Sequence, residues 1–284
     1  MKCLYIKFNV IKSLLTTRIY REISYKLNVD KIEEIRLTVG KIIRVTESGK
    51  RYDFSIATKE DVDYTVSVLV KGSLYAVNDY IKQGFITYDG GIRAGLCGES
   101  VYDSGKIQTI KNINGFVLRI PHNHYGIAEN LIEKIVRRDG TIKNTIIFAP
   151  PYSGKTTLLR EFARQFSNSG KNVVIIDEKN EISATNKGIS FLDIGESMAL
   201  VGIKLQDGFE SAIRNLSPDI LITDEIFGES DIKSVKRCIQ SGVALITSMH
   251  AGITGFEEIA PLFDYCIKLS RNPVGKILYS EDIV

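Results

Sequence analysis

Two patterns of apolar positions divide this chain. Up to about residue 120 apolar residues alternate with polar ones or recur at helical spacing in short runs. From Thr145 onward they gather into solid apolar stretches with helical patterns between them. In the first part, residues 1–20 mix basic and apolar positions as an amphipathic helix packed on the protein does. Ile32–Leu37 and Lys41–Val45 predict two short strands around Gly40. Between Lys59 and Ile81, apolar residues from Val62 to Tyr80 keep helical spacing, with Gly72 breaking the run into two helices. A β-rich stretch follows: Gly84–Thr87, a turn at Asp89-Gly90-Gly91, Arg93–Glu99, Ile107–Ile110 and a last strand at Val117–Ile120.

The second part begins with a helix predicted over Gly126–Arg138. Apolar strands at 145–149, 172–177, 219–224 and 243–248 alternate with helices, and strands apolar on both faces belong to a parallel sheet covered by helices on both sides. Phe263–Ser270 and Ile277–Ser280, around Asn272-Pro273-Val274-Gly275, close the pattern as a hairpin. The expected organisation is a small α+β domain over residues 1–120, a linker at 121–125 and an α/β domain over 126–284.

The first of those apolar strands runs into Ala149-Pro150-Pro151-Tyr152-Ser153-Gly154-Lys155-Thr156-Thr157, and a helical pattern starts there. Strand, short loop, Gly-Lys-Thr and helix form the context of a phosphate-binding P-loop. Backbone N–H groups and the positive helix N-terminus cradle phosphate oxygens. Lys155 supplies a point charge toward the β- and γ-phosphates, and Thr156 a hydroxyl for Mg²⁺. Pro150 and Pro151 remove two N–H donors, and Tyr152 occupies a position where such loops turn through φ > 0 and favour Gly.

Nucleotide hydrolysis also needs an acidic residue for the metal and a group that holds the attacking water. Ile220–Thr223 ends in Asp224-Glu225, which puts two carboxylates at the carboxyl edge of the sheet, where ligands bind in open α/β sheets. Asp224 is assigned to the Mg²⁺ shell and Glu225 to the water. Val173–Ile176 ends in Asp177-Glu178 in the same form, and Glu178 or Glu181 could orient water or metal from the side. His250 ends a further strand, where an imidazole can bond the γ-phosphate or a carboxylate. Arg119, Arg93 and Arg214 are candidates for offsetting charge on the transferred phosphoryl group.

Composition narrows the classes. With 284 residues, 44% hydrophobic and 25% charged, the chain has room for two ordinary globular domains. No apolar window is long enough for a spanning helix. Four scattered cysteines without C-x-x-C spacing argue against a metal knuckle or disulfide framework and fit a reducing compartment. Residues 1–140 carry 22 Lys and Arg against 16 Asp and Glu, a net +6; the remainder carries 15 against 18, a net −3. A sequence pI near 8.5 without a basic stripe leaves nucleic acid unexpected as a partner.

The combined motifs resemble the type II/IV secretion ATPase superfamily, and within it a sporulation branch of endospore-forming bacteria. The residues that carry this are Ile32-Glu33-Glu34-Ile35-Arg36-Leu37 to Gly40-Lys41, Gly84–Thr87, Gly90–Gly98, Ile110–Ile113, Gly154–Arg160, Asp177-Glu178 and Ser217–Ile226. The resemblance implies a RecA-like P-loop domain behind a smaller N-terminal domain, binding ATP and Mg²⁺ between the two. It also implies a homo-oligomeric ring, expected to be hexameric, that docks on a membrane protein of the sporulation channel. That places it in the cytoplasm, peripheral to the membrane on the mother-cell side of the forespore. Asp177-Glu178 and Thr247–His250 match the acidic and histidine boxes of such enzymes, and Arg119 a first-domain Arg that contacts nucleotide. Two departures stand out: Tyr152 replaces the usual Gly, and Glu196-Ser197 lack the positive charge expected after Gly195, with Lys204 a possible substitute. Slow turnover is therefore expected. The alternatives are an ATP-binding scaffold that hydrolyses little and a nucleic-acid motor.

Overall fold

The computed structural model describes residues 10–70, 85–103, 105–226, 228–250 and 259–283. The chain forms two compact units, Met1–His122 and Asn123–Val284. In the first, strands β1 (Ile32–Thr38), β2 (Ile42–Glu47), β3 (Lys50–Ile56), β4 (Phe85–Tyr88), β5 (Ile92–Asp103) and β6 (Lys106–Arg119) make an antiparallel sheet in the order β3-β2-β1-β6-β5-β4. Side chains alternate across a strand, so Ile35, Leu37, Ile43, Val45, Phe116 and Leu118 share one face. They pack there with Ile19 and Ile23 of α1 (Thr17–Lys26) and Val62 and Leu69 of α2 (Lys59–Leu69).

The helix expected over residues 1–20 is helical at 10–14, bends at Leu15 and restarts at α1; residues 1–9 lie outside the described chain. The break has a polar cause. Thr16 donates a hydrogen bond of 2.6 Å to Asp61, the carboxylate that closes the capping box of α2 with Thr58. Arg18 also bonds Asp61. The second half of the helical run expected over 59–81, with its break at Gly72, falls in residues 71–84 and also lies outside. β3 is not among the predicted strands, although Tyr52-Asp53-Phe54-Ser55-Ile56 alternates apolar with polar; it lies at the sheet's edge and half-buries Tyr52, Phe54 and Ser55. β6 is one strand where two were predicted: it pairs with β5 on both sides of an irregularity at residues 112–114, between the Gly115–Cys97 and Lys111–Glu99 pairs.

The second unit is built on β7 (Thr145–Ala149), β8 (Val173–Asp177), β11 (Met198–Val201), β12 (Ile220–Glu225), β13 (Ala244–His250), β14 (Tyr265–Arg271) and β15 (Val274–Asp282). Their order is β11-β8-β12-β13-β7-β14-β15, parallel through β14, with β15 antiparallel at the edge. A two-stranded ribbon, β9 (Thr185–Asn186) with β10 (Ile189–Ser190), stands apart. The mixed α/β class with a parallel sheet agrees with the strand pattern.

Alternate residues of the central strands meet different helices. Val173, Ile175, Ile220 and Ile222 pack with α3 (Glu129–Ile135) and α4 (Lys155–Asn168). Val174, Ile176 and Leu221 pack with α5 (Leu205–Asn215) and α6 (Glu229–Gln240). α3 is shorter than the predicted Gly126–Arg138: Gly126 has φ 78°, and Val136 leaves the helix to bridge Ile142. By parity, Asp177 and Asp224 continue the face that α4 covers.

Candidate functional site

β7 ends at the fully buried Ala149, and α4 begins six residues later at Lys155. Between them the backbone turns left-handed at Tyr152 (φ 62°) and Gly154 (φ 90°). Gly154 adopts that conformation freely, whereas it costs Tyr152 about 1 kcal/mol. Pro150 and Pro151 bring the chain into the turn, and Ser153 Oγ closes it by donating to Pro150 O at 2.6 Å. The tip of the β14–β15 hairpin braces the loop, Gly275 N donating to Ser153 O at 3.1 Å. The Tyr152 ring is 72% exposed, with the Arg271 guanidinium 5.8 Å from its centroid.

Lys155 is buried, its ammonium 3.2 Å from Ala149 O and 3.4 Å from Pro150 O. Burial pushes its pKa down, against the pull of Asp224 and Glu225. Thr156 donates to Asp224 Oδ2 at 3.1 Å. Ser248, on the intervening strand β13, donates to the Asp224 carbonyl. Burial pushes the Asp224 carboxyl up to about 6, the nearby Glu181 charge adds to the rise, and the Thr156 hydroxyl opposes it. Glu225 Oε2 accepts from Lys179 Nζ at 2.8 Å, and that bond holds the Lys179 ammonium above its ordinary range.

The residues from Pro151 to Thr157, with Lys179, Glu181, Asp224 and Glu225, line one cleft of about 320 Å³ at the carboxyl edge of the sheet. The loop and Thr157 form one side; Lys179, Glu181, Asp224 and Glu225 form the other. Six successive residues, Tyr152 to Thr157, carry backbone N–H groups at the start of α4, which suits an anion. The Thr156 hydroxyl and Asp224 carboxylate lie together as a Mg²⁺ site completed by phosphate oxygens requires. Among the described residues no three acidic, His or Cys side chains converge to hold a metal unaided.

The family of sporulation stage III protein AA matches residues 6–266 of this chain. The chain belongs to that family. Stage III sporulation protein AA of Bacillus subtilis (strain 168) is 33% identical over 227 residues, which cover 78% of this chain and 73% of the relative. Two solved structures share the fold. The pilus retraction motor PilT with bound ADP is 15% identical, covers 84% of this chain and 74% of its own, and superposes with a TM-score of 0.55. The Legionella pneumophila ATPase DotB is 14% identical, covers 84% and 72%, and has a TM-score of 0.51.

In this family member the remaining sequence candidates scatter. Asp177 is buried and turned inward: its carboxylate accepts from Glu181 N, Ile182 N, Ser183 N and Ser183 Oγ at 2.7–3.2 Å. Glu178, the first residue past β8, is exposed and does not line the cleft; Glu181, at the far end of the Asp177 turn, does. Arg214 also lies off the cleft, because α5 packs on the opposite sheet face and places it in a groove with Arg237. Arg119 and Arg93 belong to the first unit, Arg119 4.0 Å from Glu34 and Arg93 4.1 Å from the Phe85 ring centroid. The backbone of His250 pairs with Ala149 in the sheet, while its side chain lies outside the described atoms. Lys204 is exposed at the start of α5, and Ser197 bonds Ala163 O on α4 at 3.1 Å.

Three residues near the cleft were given no role by sequence reasoning: Lys179, Ser248 and Arg160. Arg160 is buried on α4 and donates to Ile182 O at 2.5 Å and Glu181 O at 2.7 Å. Burial lowers its pKa to about 10. The one local signal for Lys179 is its place two residues beyond an apolar strand that ends at the same sheet edge as Asp224.

Proposed function

We propose that this chain is a Mg²⁺-dependent ATPase with a RecA-like P-loop domain that serves the membrane machinery of sporulation. The observation that carries this reading is the meeting of Lys155 and Thr156, at a helix N-terminus, with Asp224 and Glu225 across one cleft. Residues 152–157 hold the phosphates through backbone N–H groups, with Lys155 on the β- and γ-phosphates. Thr156 and, through water, Asp224 hold Mg²⁺, which neutralises phosphate charge when bound. Glu225 orients the attacking water and takes its proton. The likeness in fold to a retraction motor and to an ATPase supports coupling of turnover to mechanical work.

By the same reading the protein forms a homo-oligomeric ring, hexameric by resemblance, that docks on a protein of the channel between mother cell and forespore. It is placed in the cytoplasm against that membrane; among the described residues no helix is long and apolar enough to cross one. His250, Arg119 and Arg93 remain candidates for nucleotide contacts.

A second reading, an ATP-organised scaffold with little hydrolysis, draws on the left-handed Tyr152 and the missing positive charge at Glu196-Ser197. Phosphate release from Mg·ATP, measured for wild type and Glu225→Gln over a range of protein concentrations, separates the two. Turnover that climbs with concentration and disappears in the variant supports a ring ATPase. Bound nucleotide without release in either protein supports the scaffold, and no binding by wild type removes both.

A further inference from the structure

The cleft contains a cation that the P-loop assignments do not use. Lys179 lines it together with Lys155 and Thr156, and its Nζ sits 2.8 Å from Glu225 Oε2. The turn that carries it is clamped from two sides. Asp177 takes the N–H groups of residues 181–183, and Arg160, on the helix that starts at the P-loop, takes the carbonyls of 181 and 182. The turn is therefore rigid, while the Lys179 side chain, 55% exposed, retains rotamer freedom. Its charge reaches both ends of the site, lowering the pKa of Lys155 and opposing the rise at Asp224.

We propose that Lys179 is a catalytic cation, held on Glu225 until a nucleoside triphosphate binds and then drawn onto the terminal phosphoryl group; this rests on the ATPase reading above. The Lys179 side of the ion pair with Glu225 is half exposed, so the pair is worth only a factor of a few in population. A triphosphate presents more negative charge to the same ammonium. One movement then does two things: it neutralises charge on the phosphoryl group and withdraws the Lys179 ammonium from the Glu225 carboxylate. As the water oxygen bonds to the γ-phosphorus, the bond to the ADP oxygen breaks and the water proton passes to Glu225. Lys179 thereby supplies from within the chain a positive charge that Glu196-Ser197 cannot. A diphosphate lacks the group that draws Lys179 away, so the pair distinguishes ATP from ADP.

The test is binding of a non-hydrolysable ATP analogue and of ADP, each with Mg²⁺, to the full chain. Wild type, Lys179→Met and Lys179→Arg are compared, each with and without Glu225→Gln. Lys179→Met is expected to weaken the triphosphate about tenfold and ADP less than twofold, with Lys179→Arg recovering most of the loss. Glu225→Gln is expected to tighten the triphosphate about threefold more in wild type than in Lys179→Met, where the change removes a carboxylate beside the phosphate but has no ammonium to release. Equal losses for both nucleotides, or an unchanged triphosphate affinity in Lys179→Met, overturn the proposal. Failure of wild type to bind either nucleotide, with its unfolding transition intact, removes the ATPase reading itself and is distinct from both.

Discussion

β8 and β12 are neighbours, run parallel, and reach the same sheet edge with the same ending: four inward-packed residues, then Asp-Glu. Both aspartates also fall on the face that α4 covers. Their uses nevertheless differ. Asp224 meets Thr156 at the first turn of α4, where the helix N-terminus and Lys155 favour anions. Asp177, one strand further from β7, lies beside the second turn of α4, where Arg160 and the chain's own N–H groups surround it. A carboxylate at a strand end thus lines the cleft or builds a turn according to which turn of the crossing helix it meets.

The largest expected effect that tests this contrast is at Asp177. Asp177→Ala strands the buried N–H groups of Ile182 and Ser183 and the half-buried one of Glu181, and should cost about 3–4 kcal/mol in urea unfolding. A loss under about 1 kcal/mol would break the comparison. Glu225→Gln should do the reverse: phosphate release down about a hundredfold or more, with stability within about 0.5 kcal/mol of wild type.

Asp→Asn substitution sharpens the contrast by sign. The Asp224 carboxyl, raised from 3.8 to about 6, binds its proton more tightly folded than unfolded, so ionising it costs stability as pH rises between those values. Asp224→Asn should therefore gain about 1–2 kcal/mol at pH 7.5 in chelator, and nothing near pH 4. Asp177→Asn should destabilise at neutral pH, because an amide oxygen cannot replace both carboxylate oxygens. Urea titrations of both variants at the two pH values check this pair. The smallest effect is expected at the exposed Glu178: alanine there should leave stability within about 0.5 kcal/mol and phosphate release within twofold.

What could be read in advance follows the locality of each feature. The apolar runs that became β7, β8, β12 and β13 carried their burial in their own letters. β3 alternates apolar with polar over Tyr52–Ile56 and β11 is an apolar run of four residues, yet both are edge strands that bury little, and runs so short do not by themselves separate strand from helix. The helix at 126–138 came out short because Gly126 and the Val136–Ile142 bridge override its periodicity. Among candidate site residues, the loop from Ala149 to Thr157 is contiguous and legible as a phosphate cradle. Glu178 and Arg214 were plausible by spacing alone, yet the end of β8 and the face under α5 carry them elsewhere. Lys179 was invisible as chemistry, since nothing in Asp-Glu-Lys-Asn-Glu says that the turn folds back on its own Asp.

The sequence by itself determined the elements and their class, because a period of two or 3.6, or apolar character on both faces, is a property of a few neighbouring residues. It also determined the loop proposed to hold phosphate, whose glycine, lysine and hydroxyl lie within one turn of backbone. Only the tertiary structure decided which carboxylate faces which helix. Thr156 meets Asp224 across 68 residues and Lys179 meets Glu225 across 46. Pairings at such separations are set by strand order and helix crossing, which no local pattern of letters encodes.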